Sequence, residues 1–118
     1  MATTVLIVDD HPTFRRLARR LIEDAGFTVV GEAVDGESAL AAVRELRPDA
    51  VLLDVLLPDR SGIEVAGLMA AGEDSPSLVL TSSRSARDLG AALDGAPARF
   101  IAKSDLTGAA LAGILRQG

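Results

Sequence analysis

Strand-like and helix-like segments alternate five times along the 118-residue chain, and this alternation constrains the fold more than any other feature. Each short apolar run of strand type is followed by a longer segment with apolar residues at helical spacing. The predicted strands cover residues 4–10, 28–33, 50–54, 77–82 and 98–103, and the predicted helices cover 12–26, 35–48, 61–72, 86–95 and 106–117. Such a series predicts one α/β domain with a parallel sheet and helices on both of its faces.

Residues that start and stop secondary structure support several of these boundaries. Pro12 suits the first turn of a helix, and Gly26 suits the position after its last turn. Asp35 is a typical N-cap for the second helix. The strand at 28–33 contains a glycine, which an edge strand tolerates. Glycines also fall inside the last two predicted helices, Gly90 among them, and each costs up to about 1 kcal/mol relative to alanine.

The composition excludes several classes of protein. Hydrophobic residues make up 48% of the chain and charged residues 25%, as in ordinary soluble globular domains. The net charge of −5 argues against a nucleic-acid-binding surface. The absence of cysteine excludes disulfides and thiolate metal sites. Because no signal peptide or membrane-length apolar stretch is found, we expect a single cytoplasmic domain over 1–118 that binds neither nucleic acid nor a membrane.

Polar side chains stand at the carboxyl ends of four predicted strands. They are Asp9 and Asp10 after the first strand, Asp54 after the third, Thr81 and Ser82 after the fourth, and Lys103 after the fifth. Ligands of doubly wound sheets bind at this edge. In the apolar run "VLLDVLLPD", the Asp54 carboxylate is costly to bury unless it has a partner. We therefore expect the other strand ends to supply that partner.

The three carboxylates favour a particular chemistry. Hard carboxylate oxygens without nearby histidine or cysteine ligands favour Mg²⁺. One Mg²⁺ and the Lys103 ammonium would together balance the formal charge of Asp9, Asp10 and Asp54. A carboxylate beside a divalent ion, a lysine and a hydroxyl is suited to accept a phosphoryl group as an aspartyl phosphate.

Four segments, which together span essentially the whole chain, resemble the receiver domain of two-component response regulators. They are "LIVDDHPTFRRL", "VLLDVLLPDRSGIEV", "LVLTSS" and "FIAKSDLT". Within receivers, "DDHP" and "KSDL" are most similar to the class that usually carries a LuxR-type helix-turn-helix output domain, although no output domain is expected within 1–118. The resemblance implies a flavodoxin-like five-stranded parallel sheet in the order 2-1-3-4-5. It also implies a Mg²⁺-dependent switch that takes its phosphoryl group from a histidine kinase or phosphotransfer protein.

The resemblance also implies a role for each site residue. Asp54 is the phosphoacceptor, Asp10 a direct Mg²⁺ ligand, Asp9 a ligand mainly through water, and Leu56 the donor of a backbone carbonyl to the metal. Lys103 pairs with the phosphate, Ser82 is the switch hydroxyl, and Phe100 is the aromatic switch residue. Phosphorylation is expected to alter the surface of helix 4, strand 5 and helix 5. Beyond its own phosphoryl transfer and dephosphorylation, no enzymatic activity is expected.

Several assignments leave alternatives open. Thr81 or Ser83 could supply the hydroxyl, and Ser82 could simply hydrogen-bond to the backbone, but two-residue alternation and family position favour Ser82. Phe100 is equally consistent with plain packing. The pocket could belong to a binding module that is never phosphorylated. An aspartate-nucleophile phosphatase is disfavoured, because Leu56 stands where such enzymes carry a second acid.

The remaining features of the chain concern possible partners and one position at which the chain departs from the family pattern. The basic residues Arg15, Arg16, Arg19 and Arg20 lie opposite the apolar stripe of the first helix. The simplest interpretation is a solvated face, and the alternative is a docking surface for an acidic partner. His11 is interpreted as a solvated residue. A homodimer through the helix 4 face, or through the first and last helices, is kept as an alternative. Ser104 replaces a common proline, so a cis bond before it is not expected.

Overall fold

The computed structural model describes residues 3–72 and 75–117, which form a five-stranded sheet flanked by helices. Strands β1 to β5 are Thr4–Val8, Thr28–Ala33, Ala50–Asp54, Ser77–Ser82 and Arg99–Ala102. Helices α1 to α5 are Pro12–Asp24, Gly36–Leu46, Gly62–Ala70, Ala86–Leu89 and Gly108–Gln117. All neighbouring strands are parallel, in the order β2-β1-β3-β4-β5. The α/β class and the strand order are therefore confirmed, and β2 is an edge strand as expected.

Two apolar layers cover the two faces of the sheet. One layer joins the sheet to α1 and α5, and the other joins it to α2 and α3. Successive residues of a strand alternate between the layers, so that Leu52 belongs to the α1–α5 layer and Leu53 to the α2–α3 layer. On β4, Val79 and Leu80 divide in the same way. This alternation also decides which face each polar residue at a strand end joins.

The fourth helix is much shorter than the predicted segment 86–95. Helix α4 ends at Leu89, and a 3₁₀ turn over Gly90–Leu93 follows. Gly90 has φ 55° and ψ −133°, a conformation that a helix cannot continue through and that favours glycine. The prediction of one continuous helix was therefore wrong, because Gly90 ends the helix rather than lying inside it.

The other differences are confined to element ends. Helix α1 stops at Asp24, two residues before Gly26, which has φ 94°. Lys103 begins a short 3₁₀ turn rather than ending β5. Within the described ranges there is no cis peptide bond, and none of the helices found there is long and apolar enough to cross a membrane.

Candidate functional site

The carboxyl ends of β1, β3, β4 and β5 bring the predicted polar residues together. An open cavity of about 450 Å³ lies at this edge, lined by His11, Asp54, Val55, Leu56, Ser82, Ser83, Arg84, Leu89 and Lys103. Asp9 is fully buried beside this cavity, and Asp54 is 4% exposed to solvent. The expected convergence of an acid, a hydroxyl and a lysine is thus present in the structure.

Lys103 is the partner that compensates for the buried carboxylates. Its Nζ lies 2.6 Å from Asp9 Oδ2 and 3.2 Å from Asp54 Oδ2. The same ammonium lies 4.2 Å from the centre of the Phe14 ring on α1, a cation–π contact that was not predicted. Burial by itself would lower the pKa of Lys103, but the hydrogen bond to Asp9 and the charge of Asp54 hold it above its ordinary value.

Asp54 and Asp9 differ in how readily they ionise. Burial is the main cause that raises the pKa of Asp54; the Asp9 charge adds to it, while the Leu56 N–H and Lys103 oppose it. Leu56 N donates to Asp54 Oδ1 at 3.2 Å. Burial also acts to raise the pKa of Asp9, but hydrogen bonds from Lys103 and His11 outweigh it and hold that pKa below its ordinary value. Asp9 is therefore the better-stabilised anion of the two.

Four potential metal ligands face one another at the mouth of the site. Ligand atoms of Asp9, Asp10, His11 and Asp54 all lie within 4.8 Å of one another. Three of these residues offer hard carboxylate oxygens, and Asp10 is exposed on the outer side of the group. Such a donor set fits Mg²⁺, which prefers oxygen ligands and retains water.

His11 is more closely involved than its sequence position indicated. Its side chain is 67% exposed, as expected for a solvated residue. Its backbone N–H nevertheless donates to Asp9 Oδ1 at 2.8 Å, and its ring Nδ1 lies 3.0 Å from that oxygen and 3.1 Å from Asp10 Oδ1. Its position directly after two acids was the one signal that could have indicated this.

The loop after Asp54 is shaped by close backbone packing. Gly62 N donates to Val55 O at 2.6 Å. A Cβ atom at Gly62 would lie 1.9 Å from the Asp54 carbonyl oxygen, so only glycine fits there. Asp59 accepts hydrogen bonds from Gly36 N at 2.8 Å and Glu37 N at 3.0 Å, which joins this loop to the start of α2. The hydrogen bond from the Gly36 backbone is the main cause that lowers the pKa of Asp59. Asp59 was not among the predicted site residues.

Ser82 and Phe100 lie on the same face of the sheet. Ser82 follows Leu80 by two residues, and Phe100 packs against the layer that contains Leu80. The Ser82 hydroxyl lines the cavity and accepts a hydrogen bond from Arg84 N at 3.0 Å. Ser82 therefore accepts a hydrogen bond from the backbone, which was one of the two interpretations, and it also lines the cavity that Asp54 lines. The switch roles of Ser82 and Phe100, and the metal role of the Leu56 carbonyl, stay predictions.

The basic face of α1 is only partly a solvated face. Arg15 Nε donates to Glu32 Oε1 at 2.9 Å, and Arg15 Nη1 donates to the Asp9 carbonyl at 2.8 Å. Arg19 binds the other oxygen of Glu32. By contrast, Arg16 and Arg20 are exposed. Two of the four arginines thus join α1 to β2 and to the base of the site.

Comparisons with known proteins agree with this geometry. The sequence profile of the family described as "Response regulator receiver domain" matches residues 5–111. The chain is 36% identical over 105 residues to the DNA-binding response regulator MtrA of Mycolicibacterium smegmatis, covering 87% of this chain and 45% of that protein. Across curated relatives at 36–41% identity, the chain spans 24–49% of their length.

Two solved structures share the whole architecture. A CheY-like receiver domain from Methylobacillus flagellatus has a TM-score of 0.86 at 28% identity, covering 99% of this chain and 98% of that one. A two-component response regulator of the LuxR family from Aurantimonas sp. SI85-9A1 has a TM-score of 0.86 at 30% identity, covering 99% and 87%. The architecture of this chain therefore recurs in solved receiver domains.

Proposed function

This chain belongs to the response regulator receiver family, and from that premise we propose that it is a phosphoryl-accepting switch with Asp54 as its acceptor. Receiver domains act as signalling switches in two-component systems. The observation that carries the proposal is the position of the Asp54 carboxylate, which is buried at a strand end between the Leu56 N–H and the Lys103 ammonium and borders an open cavity.

The proposed reaction is a single displacement at phosphorus. One carboxylate oxygen of Asp54 forms a bond to the phosphorus of the donor, while the bond from phosphorus to the donor's leaving atom breaks. The electron pair leaves with the histidine nitrogen of a kinase or with the acetate oxygen of acetyl phosphate. Lys103 moves its hydrogen bond from Asp54 to a phosphoryl oxygen and balances the added negative charge.

Mg²⁺ is part of the proposal because the acidic group fits it. Asp9, Asp10 and Asp54 would hold the ion, together with the backbone carbonyl of Leu56. When bound, Mg²⁺ supplies positive charge for the phosphoryl oxygens. Because Asp9 is held by Lys103 while Asp10 is exposed, a direct role for Asp10 and a water-mediated role for Asp9 suit the geometry.

The proposed readout begins at Ser82. Its oxygen accepts from Arg84 N, so its own hydrogen is available to donate to a phosphoryl oxygen. Phe100 lies half-buried on the same face, against the layer that Leu89 of α4 also joins. Closure of Ser82 on the phosphate would change the packing of Phe100, and with it the surface of α4, β5 and α5.

The proposed partners follow from the family. The phosphoryl donor is a histidine kinase or a phosphotransfer protein, and a homodimer is kept as an alternative state. The resemblance to LuxR-family regulators suggests that any DNA binding resides in a separate domain, so nucleic acid is not proposed as a ligand of this domain. We propose a cytoplasmic location on the same basis.

Phosphorylation with a small donor tests the proposal. The protein is incubated with Mg²⁺ and acetyl phosphate and examined by intact mass, with Asp54→Asn as the variant and Asp94→Asn, an exposed acid outside the site, as the matched control. We expect one phosphoryl group on the wild type and the control, and none on Asp54→Asn. A folded wild-type protein that binds Mg²⁺ but gains no phosphoryl group would instead indicate a binding module that signals without phosphorylation.

A further inference from the structure

The ring of His11 faces the acidic group, and the proposed mechanism does not use it. Its Nδ1 lies 3.0 Å from Asp9 Oδ1 and 3.1 Å from Asp10 Oδ1. The sequence favoured Mg²⁺ on the premise that no histidine ligand stands near the three carboxylates, and the structure contradicts that premise. A nitrogen donor therefore faces the oxygens that were expected to hold the ion.

The spacing of these three atoms is that of neighbouring ligands on one metal ion. Bonds from a metal ion to imidazole nitrogen and carboxylate oxygen are roughly 2.0–2.2 Å long. In tetrahedral or octahedral coordination, neighbouring ligand atoms at that bond length stand roughly 2.8–3.6 Å apart. Both distances from the His11 Nδ1 fall within this interval. The ring nitrogen is thus placed to share an ion with the two acids.

The backbone holds His11 in this position without help from its ring. His11 N donates to Asp9 Oδ1 at 2.8 Å, and His11 O accepts from Arg15 N at 3.1 Å. His11 is the N-cap residue of α1, but its side chain makes no cap hydrogen bond. Its side chain is also 67% exposed, so it adds little to the core. The ring is therefore available to a ligand, and its removal leaves the backbone bonds of the loop in place.

Lys103 does not compete with His11 for the same oxygen of Asp9. Its Nζ binds Asp9 Oδ2 at 2.6 Å, whereas the His11 ring and backbone N–H face Oδ1. The exposed Asp10 carboxylate contacts the same ring nitrogen. One oxygen of Asp9 is thus held by a cation, and the other stands with a second acid and an imidazole.

We propose that His11 Nδ1 is a metal ligand that adapts this acidic site to transition ions of the class of Zn²⁺. This inference rests on the metal site of the proposed function. Imidazole suits Zn²⁺ and similar ions, whereas carboxylate, carbonyl and water ligands suit Mg²⁺. Two neighbouring carboxylates favour the ring tautomer with its hydrogen on Nδ1. On metal binding, exchange through water moves that hydrogen to Nε2, and Nδ1 donates its lone pair to the ion.

Binding of Zn²⁺ and Mg²⁺ to the untagged protein tests the inference. Calorimetry gives the affinity of each ion for the wild type, for His11→Ala and for Thr13→Ala, an exposed residue of the first turn of α1 that serves as the matched control. We expect His11→Ala to lower the ratio of Zn²⁺ affinity to Mg²⁺ affinity by about tenfold or more, since even an outer-shell partner of a metal ligand is typically worth that much. The ratio should be unchanged in Thr13→Ala.

The ring of His11 can also be observed directly by nuclear magnetic resonance. The chain contains one histidine, so isotopic labelling of histidine ring nitrogens reports on His11 alone. Zn²⁺ should shift the Nδ1 resonance well beyond any change at Nε2, because only a ligating nitrogen gives its lone pair to the metal. This measurement uses the wild type and therefore decides the question even if His11→Ala does not fold.

The outcomes separate this inference from the function on which it rests. An unchanged affinity ratio in folded His11→Ala, or Zn²⁺ binding that leaves the Nδ1 resonance in place, would overturn the role of His11. Phosphorylation of the wild type by acetyl phosphate and Mg²⁺ would remain intact in that case. A wild type that binds neither ion and gains no phosphoryl group would instead contradict the proposed function, and the inference would fail with it.

Discussion

Lys103 directly follows β5, and its ammonium makes its shorter ionic contact, at 2.6 Å, with Asp9, which directly follows β1. This contact spans the ends of the two intervening strands. Its contact with the expected phosphoacceptor, Asp54, is longer at 3.2 Å. One lysine therefore holds the ends of three strands together and satisfies both buried acids. Asp10 is left exposed on the outer side, where a cation can reach it.

Replacement of Lys103 by methionine should destabilise the protein while strengthening its binding of divalent ions. Two buried carboxylates would lose their cationic partner, and breaking a buried ion pair costs about 3 kcal/mol or more in the free energy of unfolding. Urea unfolding followed by far-ultraviolet circular dichroism measures the loss, since the chain has no Trp or Tyr. Calorimetry with Mg²⁺ measures the binding. Lys103→Arg, which retains the charge, is the control, and unchanged stability of Lys103→Met would contradict the prediction.

Replacement of Asp54 by asparagine should stabilise the protein near neutral pH. Because burial raises the pKa of Asp54 in the folded state, its charged form costs stability at every pH above that raised value. Asparagine removes this cost, and its advantage should shrink as the pH falls through the raised pKa, where the wild-type carboxyl is protonated.

Urea midpoints near pH 7 and in mild acid, for wild type and Asp54→Asn, provide the measurement. In both proteins, ionisation of Asp9 should increase the free energy of unfolding, whereas ionisation of Asp54 in the wild type decreases it. Its lowered pKa means that it contributes stability above its ordinary value of 3.8, and that this stability is lost as the pH falls through the lowered pKa. An Asp54→Asn variant less stable than wild type at neutral pH would show that the carboxylate is stabilised rather than penalised by its surroundings.

Two glycines of α3 should respond in opposite ways to replacement by alanine. At Gly62 the new methyl group would collide with the Asp54 carbonyl, and we expect a loss of about 3 kcal/mol in unfolding free energy together with weaker phosphorylation. At Gly67 nothing lies within 4 Å, so alanine should gain about 0.5–1 kcal/mol through its higher helix propensity. Thermal unfolding of both variants checks the contrast, and similar effects at the two positions would refute it.

Substitutions of Arg15 and Arg16 should distinguish a structural role of the α1 arginines from a role in docking a partner. Arg15→Met removes the bonds to Glu32 and to the Asp9 carbonyl and should cost about 1 kcal/mol, given partial exposure to solvent. Arg16→Met should leave stability unchanged, because Arg16 is exposed. Chemical unfolding measures both. If α1 docks an acidic partner, Arg16→Met should still slow phosphoryl transfer from that partner while leaving phosphorylation by acetyl phosphate unaffected.

Local sequence patterns were sufficient to predict most of the secondary structure. Apolar runs, helical spacing and capping residues reproduced three strands, 28–33, 50–54 and 77–82, without any shift of boundary. Asp35 caps α2 through a hydrogen bond from Ser38 N, as predicted. The failure at α4 has a local cause as well, because Gly90 adopts a positive φ that the spacing of apolar residues cannot reveal.

By itself, then, the sequence determined the alternation of strands and helices and the polar residues that would meet at one edge of the sheet. Only the tertiary structure decided which of them pair: Lys103 with Asp9, the His11 ring with both acids, and Asp59 with the start of α2. The physical reason is that periodicity and capping depend on neighbours within a few residues. Contacts such as that between Lys103 and Asp9, 94 residues apart, depend on strand order, register and side-chain reach, which local patterns do not encode.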